Sequence, residues 1–186
     1  MDMKRIVFFV FALISITGCK EDVVNERIDQ IASETSATAA NGNGKIRLSS
    51  GSQMLSVEGD CGGVTTMGEL IIAVKDKIVP SRVFTISFNT DQFPENGKVY
   101  TLKKSDYMTE GKKSESDVYV GFSEVSQSTQ MDWSSDDHSG TIKFEVNGNE
   151  IKCTFKDIKL QPSEVYNKGE LNQTGTVSGE LNLYKN

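Results

Sequence analysis

The chain is poor in the residues that carry most acid–base and metal chemistry. Its 186 residues include one histidine, His138, and three cysteines. A histidine-rich zinc site is therefore excluded, and no cysteine cluster could replace it. A Ser-His-Asp or Cys-His site would have to use His138, which stands in SSDDHSG, a composition typical of an exposed turn. We predict a protein that is not an enzyme and has no metal or other cofactor.

Positive charge is also scarce. The formal net charge is −6, with 20 Lys and Arg against 26 Asp and Glu. Loss of residues 1–18 would remove Lys4, Arg5 and Asp2 and leave a net charge of −7. Nucleic acids are bound mainly by Lys and Arg that contact phosphates, so this balance predicts no nucleic-acid partner.

The chain lacks an apolar run long enough to cross a bilayer as a helix, which takes about 20 residues. Its main apolar run, IVFFVFALISI at residues 6–16, follows the basic sequence MDMKR. A basic start followed by a short apolar segment is typical of a secretory signal. We therefore predict a signal peptide over residues 1–18.

The apolar run ends in Ile16-Thr17-Gly18-Cys19. These residues resemble the bacterial lipobox, in which an aliphatic residue and two small residues precede an invariant cysteine, although Ile stands here where Leu is commonest. The resemblance implies that a diacylglycerol is attached to the Cys19 thiol and that the chain is cut just before it. Two or three acyl chains, at roughly 0.8 kcal/mol for each buried methylene, would anchor the protein stably in a lipid bilayer.

The residues after the predicted anchor are Lys20-Glu21-Asp22. Lysine rather than Asp at this position suggests sorting to the outer membrane of a Gram-negative cell. A basic residue followed by two acids also resembles the export tag of surface lipoproteins in Bacteroidetes-type bacteria. The resemblance implies a lipoprotein exposed on the cell surface, and the alternative is a protein that faces the periplasm.

A flexible tether is predicted over residues 19–44. Val24, Ile28 and Ile31 lie at spacings of four and three, which favours a short helix with one apolar stripe, too short to be stable alone in water. The sequence that follows, SETSATAANGNG, is small, polar and rich in Gly and Asn, as linkers are. A single domain is then expected over residues 45–186.

This domain is predicted to be all-β, because from residue 45 onward apolar and polar residues alternate. About eight to nine short antiparallel strands predict either a β-sandwich or a small lipocalin-like barrel, and we favour the sandwich. The alternating apolar sets are Phe84, Ile86 and Phe88; Val118, Val120 and Phe122; Ile142, Phe144 and Val146; and Ile151, Cys153 and Phe155.

Two local features of the strands can also be predicted. Asn147-Gly148 stands between two alternating runs, which is the strongest short-range signal of a hairpin and favours a type I′ turn. The alternation shifts by one residue between Phe155 and Ile158, so we expect a β-bulge near Lys156-Asp157.

The C-terminal half resembles small lipoprotein domains of unknown function from Bacteroidetes. The similar stretches cover about the last ninety residues and are NGKVYTLKKSDY, SGTIKFEVNGNEIKCTFKDIKL and GTVSGELNLYK. These are strand patterns, so the resemblance implies a fold and no activity.

Two cysteines remain after the predicted lipidation, Cys61 and Cys153. An exported protein meets an oxidising compartment, so a disulfide between them is possible; the alternative is two separate buried thiols. A bridge over so long a loop would stabilise the fold by roughly 4–5 kcal/mol.

The candidate binding residues lie near one acidic turn: Asp132, Trp133, Asp136 and Asp137. An exposed Trp beside hydrogen-bonding groups is a common way to hold a sugar or a protein partner, and the alternative is a Trp that covers one end of the domain. Alternating oxygen ligands can also bind Ca²⁺, but the EF-hand pattern fails here, so a solvated acidic loop is favoured over a metal site.

Two functions are favoured, and an enzyme is a third possibility only because carboxylates are plentiful. The first is a membrane-anchored, non-catalytic binding or accessory module of the bacterial envelope, whose partner is an envelope protein or a glycan. The second is a carrier of a small hydrophobic ligand in a lipocalin-like barrel. The inward phenylalanines would line the cavity of such a carrier or fill the core of a sandwich, so the pattern does not separate the two.

Overall fold

The computed structural model describes five stretches of the chain and contains no helix within them. These stretches are residues 36–66, 68–104, 114–125, 130–163 and 172–186. The strands are β1 (Ser36–Ser50), β2 (Gln53–Thr66), β3 (Glu69–Asp76), β4 (Arg82–Phe88), β5 (Val99–Leu102), β6 (Asp117–Val125), β7 (Gln130–Ser134), β8 (Thr141–Lys143), β9 (Glu145–Asn147), β10 (Glu150–Pro162) and β11 (Gly175–Lys185).

Eight of these strands close into one antiparallel barrel. Their order around the ring is β1, β2, β3, β4, β6, β7, β10 and β11, and β11 pairs again with β1. The predicted all-β class is therefore confirmed. Of the two predicted architectures the structure is the barrel and not the favoured sandwich, because β4 pairs along its whole length with β6 and leaves no break between two sheets.

Three short strands, β5, β8 and β9, extend the barrel wall next to the short pairing of β7 with β10. β7 pairs with β10 only through Ser134 and Trp133, opposite Gln161 and Pro162. Beyond these residues β5 pairs with the start of β6, β8 pairs with β5, and β9 pairs with the start of β10. We call this end of the barrel the short-strand end. The opposite end, which carries the β1–β2 turn at Gly51 and the β3–β4 loop at residues 77–81, is the hairpin end.

A barrel this small needs strands that bend sharply, and glycines stand where neighbouring backbones come closest. A Cβ atom at Gly59 would lie 1.9 Å from the backbone oxygen of Lys75, and one at Gly42 would lie 1.9 Å from the backbone oxygen of Asn182. No other residue fits at these two positions without moving the adjacent strand.

Apolar side chains fill the barrel interior, as the alternating pattern predicted. Phe84, Ile86 and Phe88 of β4 are fully buried. The ring of Phe84 stacks on that of Phe155 with 5.1 Å between centroids, a contact that crosses the interior because β4 and β10 are not neighbours in the ring. Towards the short-strand end, Phe88, Tyr100 and Phe144 contact one another with centroids 5.5–5.8 Å apart.

The hairpin and the bulge are both confirmed. β9 and β10 pair across a turn in which Gly148 has φ 61°. Asn149 has no positive φ, so the turn follows the type II′ pattern and the expected type I′ is wrong. The pairing of β10 with β11 shifts between Phe155 and Ile158, and Asp157 has φ 55°.

The predicted boundary between tether and domain is wrong. Residues 36–44 belong to β1, which pairs with β2 from Ser36 and with β11 from Ala39. Small residues that resemble a linker serve here in a strand, with Asn41 at φ 58° where both pairings change register. Tertiary pairing therefore overrides the low strand propensity of this stretch.

The signal peptide, Cys19, the Lys20-Glu21-Asp22 sequence and the stripe of residues 24–31 lie outside the described residues. Within the described residues, no helix has the length and apolar character needed to cross a membrane.

Candidate functional site

Trp133 belongs to the core and not to an exposed binding surface. It is fully buried, faces Phe122 of β6 across the β6–β7 pair, and contacts that ring edge-on at 6.1 Å between centroids. Its indole N–H donates to the backbone oxygen of Gln173 at 3.2 Å, which satisfies its one polar group. Trp133 is therefore not the exposed Trp that the binding hypothesis assumed, because Trp133 and Met131 lie opposite the inward residues Phe122 and Glu124 of β6.

Asp132 points to the outer face of β7. It lies opposite Ser123 of β6, and its backbone oxygen accepts from the N–H of Ser163 at 2.8 Å. Burial raises the pKa of the Asp132 carboxyl to about 7, and a hydrogen bond from the Ser163 side chain opposes the rise only in part. A carboxyl that changes charge near neutral pH is a recognised sign of a functional site, although structural environments produce it too.

The acidic turn lies at the short-strand end. Asp136 is committed to the turn itself: its carboxylate accepts from the N–H of His138 at 2.7 Å and from the hydroxyl of Ser139 at 3.3 Å. Asp137 is exposed and lies 3.6 Å from the ammonium group of Lys103. The surface available to a partner here is that of Asp137 and His138.

The four predicted binding residues do not form one site. Asp136 and Asp137 share the turn, Asp132 lies on the outer wall, and Trp133 lies in the core. Among the described residues, no group of three or more His, Cys, Asp or Glu is arranged to hold a metal ion. The calcium alternative therefore has no geometric support in that part of the chain.

The predicted disulfide is absent, since Cys61 and Cys153 are both free and buried. Burial raises the pKa of each thiol to about 12. The Cys153 thiol donates to the backbone oxygen of Lys143 at 3.3 Å. Thiols held in this protonated state are poor nucleophiles and behave as small core residues.

A polar cluster inside the hairpin end was not predicted. Arg82 and Glu124 occupy inward positions of β4 and β6, and Arg82 Nε donates to Glu124 Oε2 at 2.6 Å. The carboxylate of Asp76 accepts backbone N–H groups of Glu58, Ile78 and Val79 at 2.6–2.9 Å. Burial acts to raise the pKa of Asp76, but these hydrogen bonds prevail and lower it. The sequence does contain a signal for this cluster. Arg82 stands two residues before the inward Phe84 on the same strand, so its side chain is expected to face inward as well.

Close packing fills the interior around the inward glycines. A Cβ atom at Gly44 would lie 2.6 Å from the Val74 side chain, and one at Gly175 would lie 2.6 Å from the Leu48 side chain. There is no room at these two positions even for a methyl group.

A surface cleft of about 280 Å³ lies among the described residues, between the β4–β5 connection and the segment before β6. Its lining mixes two aromatic rings with charged groups, and the ammonium group of Lys98 lies 2.5 Å from a carboxylate oxygen of Glu95. The lining residues are Thr90, Gln92, Phe93, Glu95, Lys98, Tyr100 and Glu115.

Comparison with known proteins assigns no family. No family model matches this chain, and no curated protein or solved structure matches it.

Proposed function

We propose that the chain is a lipid-anchored, non-catalytic binding or accessory module of the bacterial envelope. The observation that carries this proposal is the close packing across the barrel at the residues that the structure describes. Phe84 stacks on Phe155 across the barrel, and inward positions such as Gly44 and Gly175 lack room for a methyl group. A barrel so packed leaves its outer surface and its ends for interaction.

The anchor and the location rest on the N-terminal sequence. The lipobox-like Ile16-Thr17-Gly18-Cys19 supports lipidation of Cys19, and Lys20-Glu21-Asp22 supports an outer-membrane protein exposed on the cell surface. The described domain begins at Ser36, only 17 residues after Cys19, so a lipid on that cysteine would hold the barrel near the bilayer.

The anchor is tested by fractionation of cells that produce the full chain or its Cys19→Ala variant. We expect the parent chain in the membrane fraction, with the mass of the lipid on its N-terminal peptide, and the variant without that mass. Equal membrane association of both, with no lipid on the parent, would refute the anchor. Protease treatment of intact cells then distinguishes a surface protein, which is cut, from one that faces the periplasm.

The binding role is tested by capture from intact cells with the full chain tagged at its C-terminus. We expect a reproducible envelope protein or glycan, and we expect Asp137→Ala to reduce its recovery several-fold. Asp60→Ala is the matched control, because Asp60 is an exposed acid on β2 and also lies 3.6 Å from a lysine ammonium group, that of Lys77. Equal loss with both variants would mean that net charge and not the acidic turn governs binding.

The second candidate is the small hydrophobic-ligand carrier. The barrel is the fold that this function requires, whereas the packed interior opposes it. Mass spectrometry of the captured protein under native conditions separates the two functions, since a carrier would retain a lipid in stoichiometric amount.

A further inference from the structure

The surface cleft beside the β4–β5 connection offers hydrogen-bond donors, acceptors and an aromatic surface together. Thr90, Gln92 and Lys98 supply donors, and two glutamates supply carboxylate acceptors. Phe93 also lines the cleft and is only partly buried, so part of its ring is available to a ligand. The volume of about 280 Å³ lies just below the roughly 300–1,000 Å³ of small-molecule pockets, which suits a ligand of one or two rings.

Hydrogen bonds hold the β4–β5 connection, residues 89–98, against the barrel. The N–H of Glu95 donates to the hydroxyl oxygen of Tyr100 at 2.9 Å, and the N–H of Gly97 donates to the backbone oxygen of Phe144 at 2.9 Å. Pro94, which lies between the cleft residues of this connection, is buried. Because this side of the cleft is already ordered, binding a ligand would cost it little conformational entropy.

A tight turn before β6 forms the other side of the cleft and presents Glu115. The N–H of Ser114 donates to the Asp117 carboxylate at 3.2 Å, and the N–H of Asp117 donates back to the Ser114 backbone oxygen at 3.0 Å. The side-chain amide of Asn89 donates to the same Ser114 oxygen at 3.3 Å and so ties the turn to the end of β4. The exposed Glu115 carboxylate therefore stands on an ordered turn opposite the β4–β5 connection.

Charge in and beside the cleft is balanced. Lys98 Nζ donates to Glu95 Oε1 at 2.5 Å. This hydrogen bond raises the pKa of Lys98, and the charges of Glu95 and Glu115 add to the rise. A second ammonium group, that of Lys185, lies 5.2 Å from the centroid of the Phe93 ring. An anion in the cleft would meet two carboxylates and a cation would meet two ammonium groups, so the charges favour neither.

We propose that this cleft binds a neutral saccharide unit. The hydroxyl groups of a sugar both donate and accept hydrogen bonds, which matches the mixture of groups in the cleft. Gln92 and Glu115 bind hydroxyl groups from opposite sides, Lys98 donates from the floor, and the C–H face of the sugar packs on Phe93. The inference rests on the proposed binding role, for which it names a class of partner, and it assigns a site other than the acidic turn.

The test measures binding of the full chain to immobilised oligosaccharides of three kinds, which are neutral, acidic and amino sugars, and to the saccharides released from the envelope of the producing cells. The chain is purified in a detergent without a sugar headgroup, because such a headgroup would compete for the cleft. We expect at least tenfold tighter binding of neutral oligosaccharides than of those that carry carboxylate, sulfate or ammonium groups. Mass spectrometry of the saccharide captured from cells then tells a glycolipid, which carries acyl chains, from a polysaccharide.

Variants of the full chain locate the site. Gln92→Ala and Glu115→Ala, both at exposed positions, should each raise the Kd for the tightest neutral oligosaccharide at least tenfold. The matched controls are Gln53→Ala and Glu180→Ala, which are exposed on β2 and β11 and should change the Kd less than twofold. Phe93→Leu keeps an apolar side chain against the core and removes the ring, so it should raise the Kd several-fold while the urea midpoint of unfolding stays nearly unchanged.

Three results would overturn the inference. Absence of binding to every neutral oligosaccharide would mean that the cleft is not a sugar site. Preference for acidic or amino sugars would mean that a net charge governs the cleft. Neutral binding that Gln92→Ala and Glu115→Ala leave unchanged would place the sugar elsewhere on the chain. If an envelope protein is captured from cells equally by the parent and by these two variants, and no sugar binds, the accessory role stands and the saccharide site fails.

Discussion

Asp132 gives a prediction in which the sign of a pH effect is determined by the structure. Its carboxyl has a pKa of about 7 in the folded protein because of burial, against about 3.9 for an unfolded Asp. The folded state therefore holds a proton that the unfolded state has lost between pH 4 and 7. Across that window the stability contributed by this group falls as the pH rises, and above pH 7 the full cost of the buried carboxylate is present.

The size of this effect follows from the shift. A rise of about three pKa units corresponds to about 4 kcal/mol as an upper limit, at 1.36 kcal/mol for each unit. The residue as a whole is only half-buried, so solvent screening reduces the expected cost to about 1–2 kcal/mol. Asp132→Asn removes the charge and retains a group that can accept the Ser163 hydrogen bond.

The assay is urea unfolding at pH 4.5 and pH 8, followed by the fluorescence of Trp133, the one tryptophan of the chain, which is fully buried. We expect Asp132→Asn to raise the unfolding free energy by about 1–2 kcal/mol at pH 8 and by much less at pH 4.5. Asp137→Asn, at an exposed position, is the control and should change it by less than about 0.5 kcal/mol at either pH. A loss of stability in Asp132→Asn at pH 8, or an equal change at both pH values, would refute the argument.

Three further predictions concern the packed barrel. Gly59→Ala should lower the free energy of unfolding in urea by more than about 2 kcal/mol, because the added Cβ would lie 1.9 Å from a backbone oxygen. Gly62→Ala on the same strand is the control and should lower it by less than about 1 kcal/mol, because its Cβ would lie 3.4 Å from the nearest atom. Equal losses in the two variants would contradict the close approach at Gly59. Phe84→Ala should cost about 3–5 kcal/mol by the same measurement, and a cost below about 1 kcal/mol would mean that the interior is not tightly packed. The thiols of Cys61 and Cys153 should react with a thiol reagent only in denaturant, since both are buried with pKa values of about 12; rapid reaction of the folded chain would show that the barrel opens.

Much of the strand structure could be predicted because it depends on neighbours in the chain. The alternation at Phe84, Ile86 and Phe88 indicates one buried face wherever the strand lies. Gly148 predicted a turn, and the change of parity before Ile158 predicted a bulge, because both signals also lie in consecutive residues. The beginning of β1 was missed, since the small residues before residue 45 form a strand only because β2 and β11 lie on either side of them.

The candidate site was harder to predict than the fold. The acidic turn was found from composition, but the inward direction of Trp133 followed from its parity with Phe122, which is visible only once β6 and β7 are paired. Strand pairing likewise creates the Arg82–Glu124 ion pair and the contact of Asp132 with Ser163. In both cases the partners are far apart in the sequence.

Features that depend on consecutive residues could be found without the fold, and they are the period of the strands, the hairpin, the bulge and the segment that resembles a lipoprotein signal. The choice between sandwich and barrel depends on which strands pair across the fold, since the same inward phenylalanines fill either one. The pairing of β4 with β6 and of β11 with β1 closes the ring, and the close approaches at Gly42 and Gly59 allow it to be small.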